Sequence, residues 1–206
     1  MKIAIIGTGN IGGTLARKWH SAGHSIILGA RNKDTFKGKE LLDLDGVQVA
    51  TIPDAVQKSD VILLATPAPL ASEIAQSLGD TTGKIIIDAM NVVMGKGPDG
   101  FTNSAEAILA NKLTRDVVKC FNTTGFNNIE NPVYGEEVIE MYMAGDSARG
   151  KEVAHQLALD AGFSECIDVG GNNRFELMEQ FAFFWINLAM MQGHGRNIAF
   201  KLLKRD

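Results

Sequence analysis

The chain has 206 residues, 45% hydrophobic and 21% charged, enough for one sizeable core and short for two full domains. Its formal net charge of −4 argues against nucleic acid as a partner, because phosphate binding demands clustered basic surface. The apolar start, residues 1–6, meets glycine too soon for a secretory leader, so the chain is expected in the cytoplasm.

Residues 3–6 form a short apolar run that drops straight into Gly7, Thr8, Gly9, Asn10, Ile11 and Gly12, and a helical pattern follows from near residue 13 to 21. A strand, a tight glycine turn and a helix N-terminus stand in the order a dinucleotide pyrophosphate requires. Gly7 permits the turn, Gly9 brings the backbone up to the phosphates with no Cβ in the way, and Gly12 lets the helix pack close to the strand. The phosphates then meet free N–H groups at the positive end of the helix dipole. A second buried strand, residues 25–28, ends in Gly29, Ala30, Arg31, Asn32 and Lys33. A protein selective for NAD would end this strand with Asp or Glu, which accepts from the ribose 2′-hydroxyl. No carboxylate stands here, and Arg31 offers a planar fork for phosphate and a surface to stack on adenine, so the expected cofactor is NADP(H). The plainer alternative leaves Arg31 and Lys33 as solvated loop charges.

Residues 47–49 read as a third strand and 53–58 as a helix with proline in its first turn. A fourth strand, 61–65, runs into Thr66 and Pro67 and a helix at 70–78; a fifth, 84–88, ends at Asp88, Ala89, Met90 and Asn91. These two strands are continuous apolar runs, as strands buried on both faces should be. The Gly/Pro-rich loop 95–100 is the best candidate for a mobile segment. A helix at 104–110 precedes a sixth strand at 116–121; 138–144 reads as a seventh, 147–161 as a helix, 166–169 as a last short strand and 174–191 as a long helix. The alternation predicts an α/β fold, a doubly wound (Rossmann) and mostly parallel sheet with a short C-terminal helical extension. A single domain over residues 1–206 is expected, its helical segment at about 172–206.

In such a sheet, ligands sit beyond the carboxyl ends of the strands at the switch point. That places the glycine turn, Ala65, Thr66, Pro67, Asn91, Asn122 and Thr123 around one cleft. Thr66, Asn91, Asn122 and Thr123 can hydrogen-bond a ribose or a carboxamide without titrating, although each alone is as suited to capping a helix or closing a turn. No metal site is expected. His20 and His24 are separated by the helix-ending Gly23, and Cys120 and Cys166 lie far apart in strand-like runs that suit buried reduced thiols. His194 and Arg196, in a glycine-flanked turn, either reach an electron acceptor or simply join two helices.

Residues 181–191 are apolar nearly all round, yet fall short of the ~20 residues a membrane span needs. Phe181, Phe184, Trp185, Leu188 and Met191 follow one helical face, and Phe183, Ile186 and Met190 another. Either the helix is fully cored, or it covers the sheet with one face and a second copy with the other. The second arrangement, a homodimer, is favoured because so small a domain has little protein to cover its far side.

Five segments carry a resemblance that spans essentially the whole chain: GTGNIG at residues 7–12, GARN at 29–32, KCFNTTGF at 119–126, MAGD at 143–146 and GHGRNIAFKLL at 193–203. On these the chain resembles the NADP oxidoreductases that use the deazaflavin coenzyme of methanogens and actinobacteria, and is similar to the nucleotide-binding domain of metalloreductases. The resemblance implies a pyrophosphate on Thr8, Gly9, Asn10 and Ile11. It implies a 2′-phosphate held by a serine–arginine pair, matched here by Arg31 but with Ala30 in the place of serine. A family lysine falls near Thr35, so Lys33 or Lys37 would substitute. It also implies direct hydride transfer between stacked rings, to a deazaflavin or flavin acceptor, with no acid–base residue required and hence no catalytic side chain to name. Reduction of a ferric chelate, reduction of a small imine, and a non-catalytic NADP(H)-sensing role remain the alternatives.

Overall fold

The computed structural model describes residues 1–93, 97–111 and 114–205. In chain order the elements are β1 (Lys2–Ile6), α1 (Asn10–Ser21), β2 (Ser25–Ala30), β3 (Gln48–Thr51), α2 (Ile52–Gln57), β4 (Val61–Leu64), α3 (Ala71–Ser77) and β5 (Ile85–Asp88). There follow α4 (Ser104–Asn111), β6 (Val117–Cys120), α5 (Phe126–Glu130), β7 (Val133–Tyr134), β8 (Glu137–Val138), β9 (Met141–Ala144), α6 (Ala148–Asp160), β10 (Cys166–Asp168) and α7 (Phe175–Ile186). The last helix continues through Asn187–Met191 as a π-helical turn.

Eight strands form one sheet in the order β10-β9-β6-β5-β4-β1-β2-β3. Strands β3 to β6 across this order are parallel, β9 joins β6 antiparallel, and β10 runs parallel to β9. The order reverses between β1 and β4, the switch point of a doubly wound sheet, and ligands of such sheets lie outside it. This is the α/β architecture that the alternation of apolar runs predicts.

Each strand feeds two cores by its period of two. Ile3 and Ile5 of β1 join Leu15 and Trp19 of α1 and Leu157 of α6 on one side. Ala4 and Ile6 join Val56 of α2, Ile74 of α3, Ile108 of α4 and Met178 of α7 on the other. Trp19 is buried, donates its indole N–H to Leu157 O at 2.8 Å and meets the edge of Phe121 at 5.5 Å. That contact ties the first βα unit to the far half of the sheet.

Several boundaries differ from expectation for local reasons. Helix α1 starts at Asn10 rather than near residue 13, because Gly9 takes the extended N-cap conformation. Strand β2 runs on to Ala30, held by pairing of Gly29 with Ala50 and of Ala30 with Thr51. The single strand expected at 138–144 is two. Glu137–Val138 folds back on Val133–Tyr134 around Gly135, whose φ is +64°, and only Met141–Ala144 joins the main sheet. In the loop expected at 95–100, Gly95 and Lys96 lie outside the described residues, and Pro98–Gly100 is a short 3-10 turn.

Cys120 and Cys166, distant in sequence, are both free and buried with Sγ atoms 3.8 Å apart, and burial pushes the Cys120 thiol well above the usual range. On α7 the faces divide differently from the expected split. Met178, Glu179, Ala182 and Trp185 turn inward, while Leu177, Phe183, Phe184, Met190 and Met191 are exposed. No helix among the described residues is long and apolar enough to cross a membrane.

Candidate active site

A cleft of about 850 Å³ opens at the switch point, within the range of small-molecule and cofactor sites. Its floor is the glycine turn, and the three glycines have separable roles. Gly7 has φ +100°, and a Cβ on it would stand 2.6 Å from Ala65 O. A Cβ on Gly12 would stand 1.9 Å from Gly7 O, so only glycine lets α1 approach β1 this closely. Gly9 is the opposite case: its φ of −73° is ordinary, and an added Cβ would meet nothing within 4 Å. It borders the cleft. The first turn of α1 carries no acidic residue and no capping side chain, which leaves its N–H groups and the positive dipole end for an anion. The cradle therefore has the free amides, and at Gly9 the open space beside the backbone, that fit a pyrophosphate.

Of the residues singled out from sequence, Gly7, Thr8, Gly9, Asn10, Ile11, Ala30, Arg31, Asn32, Ala65, Thr66 and Pro67 line this one cleft. Gly12 lies behind it, at the contact of helix and strand. Lys33 is exposed and is not part of the wall; Thr35 and Lys37 are, and the Lys37 carbonyl accepts the Thr8 hydroxyl. Arg31 stands at the mouth with its guanidinium 3.3 Å from Glu73 of α3. Phe36, Ile52, Leu70 and Ile74 give the cleft apolar walls beyond the end of β2, a slot of the kind a flat base fills. Phe36 and Leu70 come from connections between the main elements, and Ile52 and Ile74 are buried residues of the short helices α2 and α3, too short for a clear periodic signal.

Asn91, Asn122 and Thr123 cluster at the ends of β5 and β6 but do not line this cleft. Asn91 Nδ2 donates to Asn122 O at 2.8 Å, and Asn122 Nδ2 donates to Asn91 Oδ1 at 3.0 Å and to Met178 O at 3.4 Å. Asn122 and Thr123 are buried, and the Thr123 hydroxyl faces Met141 Sδ. Phe121, just before them, has φ +63°, a conformation rare for an aromatic residue and concentrated at functional turns.

Beneath these asparagines lies a charge cluster absent from the sequence-based expectation. Lys119 of β6, fully buried, donates to Asp88 Oδ2 and to Met90 O, both at 2.9 Å, and to Ser104 Oγ at 3.1 Å. Glu179 Oε1 of α7 stands 2.7 Å from the same ammonium, and Glu179 Oε2 accepts from Val92 N–H at 2.9 Å. Burial works against the Lys119 charge, yet the Asp88 and Glu179 carboxylates hold its pKa above the ordinary lysine value. Burial pushes the Glu179 carboxyl above its ordinary value, and the nearby ammonium does not cancel this.

His20 and His24 are engaged elsewhere, His20 Nε2 with Asp45 O and His24 Nε2 with Asp160 Oδ2, both at 2.8 Å, and His194 is exposed in its turn. The Arg196 guanidinium lies 5.9 Å from the Phe126 ring centroid. The C-terminal segment is held against the domain by Ile198 O, which accepts from Trp185 Nε1 at 2.8 Å and Asn128 Nδ2 at 2.7 Å.

The glycine cradle, the basic end of β2 and the switch-point cleft meet a matching finding from known proteins. Residues 2–92 match the family model described as NADP oxidoreductase, coenzyme F420-dependent. An F420-dependent NADP reductase of Methanothermobacter thermautotrophicus is 29% identical over 206 residues, covering 91% of this chain and 89% of that protein. The chain is similar to that F420-dependent NADP reductase along nearly its whole length. A solved structure provisionally assigned as an F420-dependent NADP-reductase, from Arthrobacter sp. FB24, superposes with a TM-score of 0.84 over 99% of this chain and 100% of the other, at 24% identity, and so shares the fold. The chain also matches longer proteins in part. Glycerol-3-phosphate dehydrogenase [NAD(P)+] of Thermoanaerobacter sp. is 26% identical over 79% of this chain, which spans about half, 51%, of that protein. Rat metalloreductase STEAP3 is 25% identical over 82% of this chain and 34% of its own length.

Proposed function

We propose that this protein is an NADP(H)-dependent oxidoreductase that transfers a hydride directly between nicotinamide and a small flavin-like or deazaflavin acceptor. The observation that carries the reading is the glycine turn: Gly7 and Gly12 have no room for a Cβ, whereas Gly9 borders the cleft in open space. In this reading the N–H groups of the first turn of α1 bind the pyrophosphate. Arg31, with Lys37 and Asn32 beside it, takes the 2′-phosphate and exchanges its Glu73 partner for it. Phe36, Ile52, Leu70 and Ile74 enclose the adenine, while Thr66 and Asn91 stand toward the nicotinamide end. When bound, NADPH supplies the hydride. The chain's own contribution is to hold the two rings in register and keep water out, so catalysis comes from proximity and orientation rather than from a titrating side chain.

The chain would work as one cytoplasmic NADP-binding domain whose C-terminal segment, about 172–206, completes the acceptor side. The exposed Phe183, Phe184, Met190 and Met191 form an apolar face of the kind soluble monomers rarely leave open. A second copy of the chain would cover it in a two-fold homodimer.

The test is NADPH oxidation by the purified protein with deazaflavin, FMN, FAD and ferric chelates in parallel, each against a no-enzyme control. Turnover with deazaflavin or a flavin supports the proposal. NADPH binding without oxidation by any of the four would replace it with a sensing role.

A further inference from the structure

The turn that follows β5 is gripped by buried charge on every side. An ammonium has three hydrogens, and those of Lys119 go to Asp88 Oδ2, Met90 O and Ser104 Oγ. Glu179 Oε1 is a fourth neighbour, an ion-pair contact at 2.7 Å with no hydrogen-bond donor of its own. Asp88 Oδ1 accepts from Met90 N–H at 3.0 Å, and Glu179 Oε2 accepts from Val92 N–H at 2.9 Å. Charges from β5, β6 and α7 thus hold the N–H and C=O of residue 90 and the N–H of residue 92, with Asn91 between them. A buried ion set is a poor device for stability, since apolar replacements of similar volume are often neutral or better. Its distinctive product here is the geometry of this turn.

The turn adjoins the cleft. Thr66, a lining residue, points its hydroxyl at Met90 Sδ at 3.2 Å. Asn91 is half-buried and spends one amide hydrogen and one Oδ1 lone pair on Asn122. That leaves one further donor and one further acceptor position on its side chain. A carboxamide needs this complementary pair.

We infer that Glu179 is a positioning residue for the nicotinamide end of the cleft: from α7 it holds Val92 N–H and Lys119 so that Asn91 presents its remaining hydrogen and lone pair to a carboxamide. The inference rests on the dinucleotide reading above and adds a residue to it that touches no ligand.

The experiment compares NADPH with 2′,5′-ADP, which probes only the adenosine end, on wild type, Glu179→Gln, Asn91→Ala and the double variant. Each single substitution is expected to weaken NADPH about five- to tenfold, the scale of one lost hydrogen bond, and to leave 2′,5′-ADP within about twofold. The double variant should be no weaker than the worse single one, because both act through the same side chain and their effects cannot add. Equal losses for the two probes, no loss for NADPH, or additive losses in the double variant would each overturn the inference while leaving the dinucleotide reading in place. A wild type that binds neither probe would overturn that reading and this inference with it. Should Glu179→Gln not fold, Glu179→Asp keeps the charge on Lys119 but falls one methylene short of Val92. The same selective loss then supports the positioning role, and an unselective loss or none refutes it.

Discussion

Two alanine substitutions three residues apart in the glycine turn should have opposite consequences. At Gly12 the new Cβ would lie 1.9 Å from Gly7 O and 3.2 Å from Ala65 Cβ, and the backbone oxygen cannot move without dragging the end of β1. Overpacking of this kind costs about 1–3 kcal/mol, which for a chain of this size lowers Tm by roughly 2–12 °C, and the rigid partner places Gly12→Ala toward the upper end. At Gly9 the Cβ meets nothing within 4 Å and φ is −73°, so the folded chain accepts it. The remaining cost is the poorer N-cap preference of alanine, about 1 kcal/mol or less. A bound pyrophosphate would meet that methyl. Losing one charged hydrogen bond to the first-turn amides costs about 1.5–3 kcal/mol, or roughly 10- to 150-fold in affinity. Thermal melting followed by far-ultraviolet circular dichroism reads the first effect, and calorimetric titration with NADPH reads the second. A Gly9→Ala protein that binds NADPH as wild type does would refute the phosphate role of the turn. An unshifted Tm in Gly12→Ala would refute the packing argument.

At the other end of the nucleotide, Arg31→Ala should weaken NADPH by about 1.5–3 kcal/mol and NADH far less; removing the competing carboxylate by Glu73→Gln should tighten NADPH by up to about 1 kcal/mol, the scale of an exposed pair. Equal wild-type affinities for NADPH and NADH would sink that assignment. Because burial raises the Glu179 pKa in the fold, the folded chain holds this proton more tightly than the unfolded one. Its stabilising effect is therefore full below the ordinary carboxylate value and is lost as pH rises through the raised one. Melting curves across this window should show wild type losing Tm relative to Glu179→Gln, and parallel profiles would contradict the buried titration. Phe183→Asp should yield monomers by light scattering with near-normal NADPH affinity, since Phe183 is exposed and does not line the cleft; a monomeric, fully active wild type would end the dimer proposal.

How much of this was legible before any coordinates depends on how far apart the cooperating residues are. The glycine turn is read within six residues, because Gly7 and Gly12 answer to each other's backbone and to one strand end, and the structure gives both the restraint expected of them. Strands Val61–Leu64 and Ile85–Asp88 announce themselves as apolar runs, and the parallel order follows from their alternation with helices. The break between β8 and β9 was not legible: the pattern passes through Ile139 and Glu140 with no turn residue, and the fold-back is set upstream at Gly135. Nor were the walls at Phe36, Ile52, Leu70 and Ile74, which become one surface only when the segments that follow β2, β3 and β4 converge.

Lys119 is the instructive intermediate case. A lysine within Val117–Cys120, a strand buried on both faces, cannot be left unpaired, because an isolated charge in the interior costs several kcal/mol or forces neutralisation. Asp88 at the end of another apolar strand makes the same demand, so the sequence already contained two charges in want of partners. Helix α7 supplies the rest, because Glu179 interrupts an apolar face that otherwise buries Phe175, Met178 and Ala182. Each anomaly alone is a local blemish in a hydrophobic pattern. Only the sheet order, which sets β5 beside β6, and the docking of α7 over their ends convert the three into one cluster at the edge of the cleft.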